Sequence, residues 1–295
     1  MCTPAQQIRN LLSESKPLVL GGIYDGVSTR LADRAGFEVL FMGGFSVSAT
    51  ALGEPDFGYL TQTEIADAAR RLCRLTQRPV LVDADTGYGN ALNVIRTVEL
   101  LQNAGAAGIF LEDQIWPKRC GHMRGKRVID RGEWLGKLRA VLDVRGSSDL
   151  FLIARTDARS AISLDEAIRR GQAARDLGAD AIFVEAPESI AEFEHIAKAI
   201  SGPKVANMIE HGRTPLLSPQ ELHDLGFDLI VTPLAGLLAS AKAIQKTYST
   251  LRREGTLRGH LDQLLPFNDF NELMNLDTQY VLEERYNAAN FSRLP

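Results

Sequence analysis

Apolar residues recur along the chain in short uninterrupted runs, each followed by a stretch whose apolar residues fall at helical spacing. Eight such runs are present: 18-LVLGGI-23, 39-VLFM-42, 79-PVLVD-83, 107-AGIFL-111, 150-LFLIA-154, 180-DAIFV-184, 203-PKVAN-207 and 228-DLIVT-232. Continuous apolarity suits strands buried on both faces of a parallel sheet, whereas alternation would mark a half-exposed antiparallel one. Eight strand–helix units predict a closed (β/α)8 barrel. Gly36, Gly105, Gly178 and Gly226 stand where the intervening helices should end in a left-handed turn. Residues 234 to 253 read as the helix of the eighth unit, so the barrel domain is expected over 1–255. Residues 256–295 keep the rhythm of one or two more helices, with no Pro-, Gly- or Ser-rich linker before them. This C-terminal extension is expected to pack on its own barrel or on a neighbouring subunit.

Composition narrows the class. At 295 residues the chain exceeds the usual single domain, yet one barrel routinely fills about 250 residues. A net charge of -4 argues against a broad nucleic-acid footprint, so anion binding must be local. The N-terminal MCTPAQQIRNLLSESKP lacks the apolar core of a secretory signal, and no run approaches the roughly 20 apolar residues of a membrane span. The cysteines Cys2, Cys73 and Cys120 are too few and too scattered for a disulfide framework, which suggests a cytoplasmic protein with free thiols. Cys73 reads as a helix-core residue and Cys2 as incidental.

In barrels of this kind the active site lies at the C-terminal ends of the strands. Here those ends carry Gly43 and Gly44, Asp83 and Asp85, Glu112 and Asp113, Arg155 and Asp157, Glu185, and Asn207 with Glu210. So many polar groups around one mouth are costly to bury without a metal or a ligand. Asp83 and Asp85 point to one side of an extended segment, and Glu112 can complete an all-oxygen pocket suited to Mg²⁺. The competing reading is that these acids cap the helices that follow. The glycine-rich 83-DADTGYGN-90 lacks the Lys-Ser/Thr of a P-loop and the Rossmann spacing, and reads as a tight turn beside the acids. Asp56, in 56-DFG-58, could reach a metal through water or simply form a turn.

The densest constellation is 117-PKRCGHMRGKRVI-129, where Lys118, Arg119, Cys120 and His122 fall within five residues. A basic surround favours the thiolate, which makes Cys120 a proton donor and acceptor candidate. A solvated basic loop, a zinc half-site and a nucleic-acid patch are the alternatives; the last two lack further ligands and interleaved aromatics. Arg155 offers a guanidinium fork to a substrate carboxylate, or a salt bridge closing the mouth.

The segments 24-YD-25, 43-GG-44, 53-GEPDFG-58, 83-DADTGYGN-90, 112-EDQ-114, 118-KRCGH-122, 155-RTDA-158, Glu185 and 207-NMIEHGRTP-215 together resemble the isocitrate lyase and phosphoenolpyruvate mutase superfamily, from about residue 17 to 255. The resemblance implies a Mg²⁺ enzyme, with Mn²⁺ a possible substitute, held by Asp83, Asp85, Glu112 and Asp56. It also implies a homotetramer of barrels that exchange a terminal helix. The Lys-Arg-Cys-Gly-His loop is similar to that of the carbon–carbon lyase branch. That implies Cys120 as the group that protonates the departing carbanion, with Lys118, Arg119 and His122 as catalytic company.

A keto-acid moiety is then expected near Gly43 and Gly44 with Arg155 on its carboxylate. Tyr24, Asp83, Gly121, Glu185 and Asn207 are the further substrate contacts. The chain departs from the tricarboxylate lyases of the superfamily, whose eighth strand runs into Pro-Leu-Ser-x-Phe-Arg: here 233-PLAGLL-238 puts Leu238 where that arginine would stand. A small dicarboxylate such as 2,3-dimethylmalate is therefore expected, unless Arg213 or a partner's tail replaces the arginine. Pro233 argues against the oxaloacetate hydrolases, which carry serine there. Carboxyphosphonoenolpyruvate phosphonomutase chemistry, oxaloacetate decarboxylation and a non-catalytic binding barrel are the alternatives.

Overall fold

The computed structural model describes residues 2–121, 123–146 and 149–287. All eight expected strands form: β1 (Leu18–Ile23), β2 (Val39–Met42), β3 (Val80–Asp83), β4 (Gly108–Glu112), β5 (Phe151–Thr156), β6 (Ala181–Val184), β7 (Val205–Asn207) and β8 (Leu229–Thr232). They are parallel, in the order β6-β5-β4-β3-β2-β1-β8-β7. A bridge between Ile182 and Lys204, with Ile182 N donating to Pro203 O at 3.0 Å, joins β6 to β7 and nearly closes the barrel. The four glycine stops hold φ of 89°, 94°, 115° and 91° at Gly36, Gly105, Gly178 and Gly226, as a left-handed helix end requires.

The strand runs are unbroken because each serves two cores. One set, with Leu40, Val82, Ile109, Leu152 and Ile182, packs under the surrounding helices. The alternate set, with Leu20, Phe41, Leu81, Phe110, Ile153, Phe183 and Val231, fills the barrel. Phe41 and Phe110 stack 4.7 Å apart, and Phe183 meets Phe110 edge-on at 5.9 Å.

Two helices were not foreseen from the pattern. Pro4–Leu12 starts on a Thr3 cap and sends Ala5 and Ile8 into the inner core, while Arg9 pairs with Asp149 and Asp180. Gly44–Leu52 follows β2 directly; its run of small and apolar residues offers no clear polar face. Cys73 ends the helix Gln62–Cys73, and burial pushes its thiol up to about 11.

The chain divides into two compact units, one up to Leu237 and one from Leu238 onward. The second contains most of the helix Ala235–Glu254, the short turn Leu261–Gln263 and the helices Phe267–Leu273 and Leu276–Arg285. No helix among the described residues is long and apolar enough to cross a membrane.

Candidate active site

Side chains two residues apart on a strand share a face, so the inner core dictates what stands at the mouth above it. Phe41 leads to Gly43, Leu81 to Asp83, Phe110 to Glu112, Ile153 to Arg155, Phe183 to Glu185, Val205 to Asn207 and Val231 to Pro233. The aromatic floor and the polar rim are two turns of one pattern. Between them lies a small cavity of about 50 Å³, bounded by Gly43, Gly44, Asp83, Arg155, Glu185 and Asn207, with Cys120 and Gly121 over it. Phe45, Ile209, Pro233 and Leu234 make its apolar wall.

The acids lie to one side. Asp83 Oδ1 accepts from Asp85 N at 3.1 Å and its Oδ2 from Gly44 N at 3.4 Å, while Tyr88 donates its hydroxyl to Asp85 Oδ2 at 2.9 Å. Asp85 and Tyr88 both sit at positive φ, 47° and 61°, in the tight turn read from the glycine-rich segment. Lys118 is buried among the acids, its ammonium 2.7 Å from Asp56 Oδ2 and 2.6 Å from Asp85 Oδ1. Burial, Asp83 and Asp56 outweigh Lys118 and push the Asp85 carboxyl up to about 7. On Lys118 itself burial works against the charge, but the surrounding acids win and hold it well above the usual lysine range.

Asp83, Asp85, Glu112 and Asp56 are the expected metal ligands. Among the described residues no three His, Cys, Asp or Glu side chains stand together as a metal-ligating group. Lys118 supplies a positive charge to Asp56 and Asp85. The residues nevertheless fit a hard divalent ion. Both Glu112 carboxylate oxygens are buried without a hydrogen bond, although Oε2 is 3.3 Å from Arg155 Nε, and burial holds the carboxyl well above its usual range. Mg²⁺ is commonly held by one or two carboxylates plus waters, so a full protein cage is not required.

Arg155 lies over the Phe183 ring at 5.4 Å, its Nε 3.0 Å from Asp157 Oδ2. Burial would raise the Asp157 carboxyl, but Arg155 and Lys126 outweigh it and hold the group down to about 2. Asp113 faces away from this chemistry. It accepts from Thr156 Oγ1 at 2.6 Å and Asp157 N at 2.8 Å and pairs with Arg170 at 3.0 Å, and burial raises it to about 6.

The thiol loop is pinned at its base. Ile115 N donates to Arg127 O, Ile129 N to Asp113 O, and the Gln114 side chain holds both main-chain groups of Arg119. Cys120 N donates to Asp56 O at 3.2 Å. The basic company expected for the thiol is otherwise engaged: Lys118 by the acids, and Arg119 by Arg124 O at 2.8 Å and the Phe57 ring at 5.5 Å. His122 lies outside the described residues.

Two expected contacts fall elsewhere. Tyr24 lines a separate, open cavity of about 630 Å³ with Asp25, Arg71 and Arg74, roomier than the strand-end cavity but away from the acids. Leu238 is 43 % exposed and begins the second unit; Pro233, Leu234, Ile209 and Phe45 provide the apolar wall of the small cavity. Other contributors were not singled out in the sequence: Tyr88 sits within the glycine-rich turn, Phe45, Ile209 and Leu234 read only as apolar positions, and Lys126 was one more cation in a basic loop.

The sequence matches the phosphoenolpyruvate phosphomutase family over residues 8–252. It is 46% identical to carboxyvinyl-carboxyphosphonate phosphorylmutase, chloroplastic, of Arabidopsis thaliana, covering 95% of this chain and 84% of that one. It is 42% identical to 2,3-dimethylmalate lyase of Eubacterium barkeri (96% and 98%) and 37% identical to 2-methylisocitrate lyase of Halalkalibacterium halodurans (95% and 92%). Among solved structures, oxaloacetate acetylhydrolase with the inhibitor 3,3-difluorooxalacetate superposes with a TM-score of 0.90 at 35% identity, over 96% of each chain. A 2,3-dimethylmalate lyase described as a PEP mutase/isocitrate lyase superfamily member also gives 0.90, at 33% identity over 97% and 96%. A phosphonopyruvate hydrolase complex with oxalate and Mg++ gives 0.86, at 27% identity over 96% and 99%. With this extent of match in sequence and fold, the chain belongs to the phosphoenolpyruvate phosphomutase family, within the isocitrate lyase superfamily.

Proposed function

We propose that the protein is a Mg²⁺-dependent carbon–carbon lyase that cleaves a small 2-hydroxy dicarboxylate of the 2,3-dimethylmalate type to an α-keto acid and a shorter carboxylate. The make-up of the strand-end cavity carries the reading. Arg155 is the one cation on its lining among the described residues, and Phe45, Ile209, Pro233 and Leu234 give that lining an apolar share. One guanidinium serves one carboxylate, and a second can face the Asn207 amide, which Glu185 holds only loosely at 3.3 Å. A third carboxylate would meet apolar side chains, at a cost of several kcal/mol. An alkyl group suits that wall.

In the reaction the C2 hydroxyl loses its proton to a carboxylate of the site, the C2=O bond forms and the C2–C3 bond breaks. The electron pair stays on C3, next to its carboxylate, and the Cys120 thiol supplies the proton that C3 takes up. Asp83, Asp85, Glu112 and Asp56 would hold a Mg²⁺ ion, which would supply positive charge to the oxygen on C2. Two relatives bear on the reading: the 2,3-dimethylmalate lyase supports it directly, and the phosphonopyruvate hydrolase complex contains Mg++ on the same fold.

The test is keto-acid release from 2,3-dimethylmalate, 2-methylisocitrate, isocitrate and oxaloacetate, each with Mg²⁺ and with chelator. Release from 2,3-dimethylmalate that chelator abolishes is expected; no release from any of the four overturns the lyase reading. The phosphorylmutase at 46% identity favours a second reading, phosphonate formation, which ³¹P NMR detects. Exposed Leu265, Phe267, Val281 and Tyr286 in the second unit support the expected homotetramer, to be weighed by light scattering.

A further inference from the structure

Lys126 stands six positions beyond Cys120 in the thiol loop and its side chain is only 2 % exposed. A buried ammonium must find acceptors, and this one finds two that belong to different parts of the site. It donates to Asp157 Oδ1 at 2.6 Å and, through a short contact, to the main-chain carbonyl of Gly121. Asp157 in turn accepts from Arg155 Nε at 3.0 Å. One side chain thus joins the loop residue beside the thiol to the arginine on the cavity lining.

We propose that Lys126 is a positioning residue that fixes where Cys120 stands relative to Arg155, by clamping the Gly121 carbonyl to the Asp157–Arg155 pair. Glu185 also bounds Gly121 closely, so the segment has little freedom left. Without the ammonium, the Gly121 carbonyl loses this donor in a buried place and Asp157 Oδ1 keeps the longer bond from Arg155 Nη2, 3.4 Å. Outward movement of the Cys120–Gly121 segment relieves this by admitting water. The part of the inference that concerns turnover rests on the lyase reading; the part that concerns geometry does not.

The experiment follows iodoacetamide alkylation of each cysteine in the whole protein by mass spectrometry, comparing wild type with Lys126→Met. Alkylation of Cys120 should accelerate about tenfold, the effect of roughly 1.4 kcal/mol of local opening, while Cys73 on its helix keeps its rate. Equal acceleration of both cysteines would show general loosening, and no acceleration would show that Lys126 holds nothing; either result overturns the clamp. If Lys126→Met fails to fold, Lys126→Gln, which keeps a neutral donor, takes its place under the same criteria. With 2,3-dimethylmalate the substitution should lower kcat about a hundredfold with little change in KM, and Lys126→Arg should recover part of the loss. A wild type that turns over no dicarboxylate, together with selective Cys120 acceleration in the variant, would remove the lyase reading and leave the clamp in place.

Discussion

Gly121 stands so close to Glu185 that a Cβ built on it would lie 1.9 Å from Glu185 Oε1. Its backbone is not in the left-handed region, so the glycine is required by approach alone. Gly121→Ala must therefore displace either the loop or the carboxylate that Asn207 holds. Overpacking of this kind costs about 1–3 kcal/mol, and turnover should fall at least tenfold while the far-ultraviolet spectrum is unchanged. Wild-type turnover in this variant would mean that the loop does not work from this position.

Cys120 lines the cavity with Gly121, and the proposed mechanism has it return the proton to C3. Cys120→Ser should keep the fold and lower cleavage by roughly a hundredfold or more, as loss of a general acid does. Rates near wild type would remove the thiol from the chemistry.

Glu112 carries two buried oxygens without hydrogen bonds, and burial with Asp83 and Asp56 pushes Asp85 up to about 7. A ligand bound only by the folded state raises its stability. Millimolar Mg²⁺ should therefore raise the Tm of wild type, and Asp85→Ala and Glu112→Gln should each erase that rise. An unchanged Mg²⁺-dependent Tm shift in both variants would place the ion elsewhere.

At the opposite end of the barrel, the hydrogen bond from Arg9 to Asp149 holds this carboxyl below its usual range, against a smaller burial effect. A carboxyl depressed in the folded state adds stability that is complete above its unfolded value, about 3.9, and that disappears as pH falls through the folded one. Asp149→Asn should consequently lower the Tm at pH 7 and lose that difference towards pH 2. A gap that stays constant across this range would show that the pair contributes nothing through charge.

The barrel was legible because its strands are buried on two faces and therefore spell themselves as unbroken runs, with Gly105 and Gly178 closing the helices between. The rim was legible for the same reason: once Phe110 and Phe183 are inward, Glu112 and Glu185 must be inward too. What escaped depends on contacts between distant segments. The direction of Lys118, into the acids rather than around the thiol, is set by Asp56 and Asp85 from two other loops, and the pairing of Lys126 with Asp157 spans 31 residues. The helix Pro4–Leu12 hid in a short polar segment whose Ala5 and Ile8 make sense only beneath the barrel. Leu238 entered only by analogy of position with an arginine, whereas Phe45, Ile209, Pro233 and Leu234 line the cavity and carried no motif that marked them as a wall.

On the proposed function, one guanidinium and an apolar wall select a dicarboxylate bearing alkyl groups. The decisive comparison is steady-state kinetics with Mg²⁺ on 2,3-dimethylmalate and 2-methylisocitrate. An unpaired third carboxylate costing several kcal/mol corresponds to roughly a thousandfold in kcat/KM, so 2,3-dimethylmalate should be preferred by two to three orders of magnitude, on the order of that ratio. A kcat/KM for 2-methylisocitrate well above that for 2,3-dimethylmalate would contradict the claim and show that another cation meets the third carboxylate.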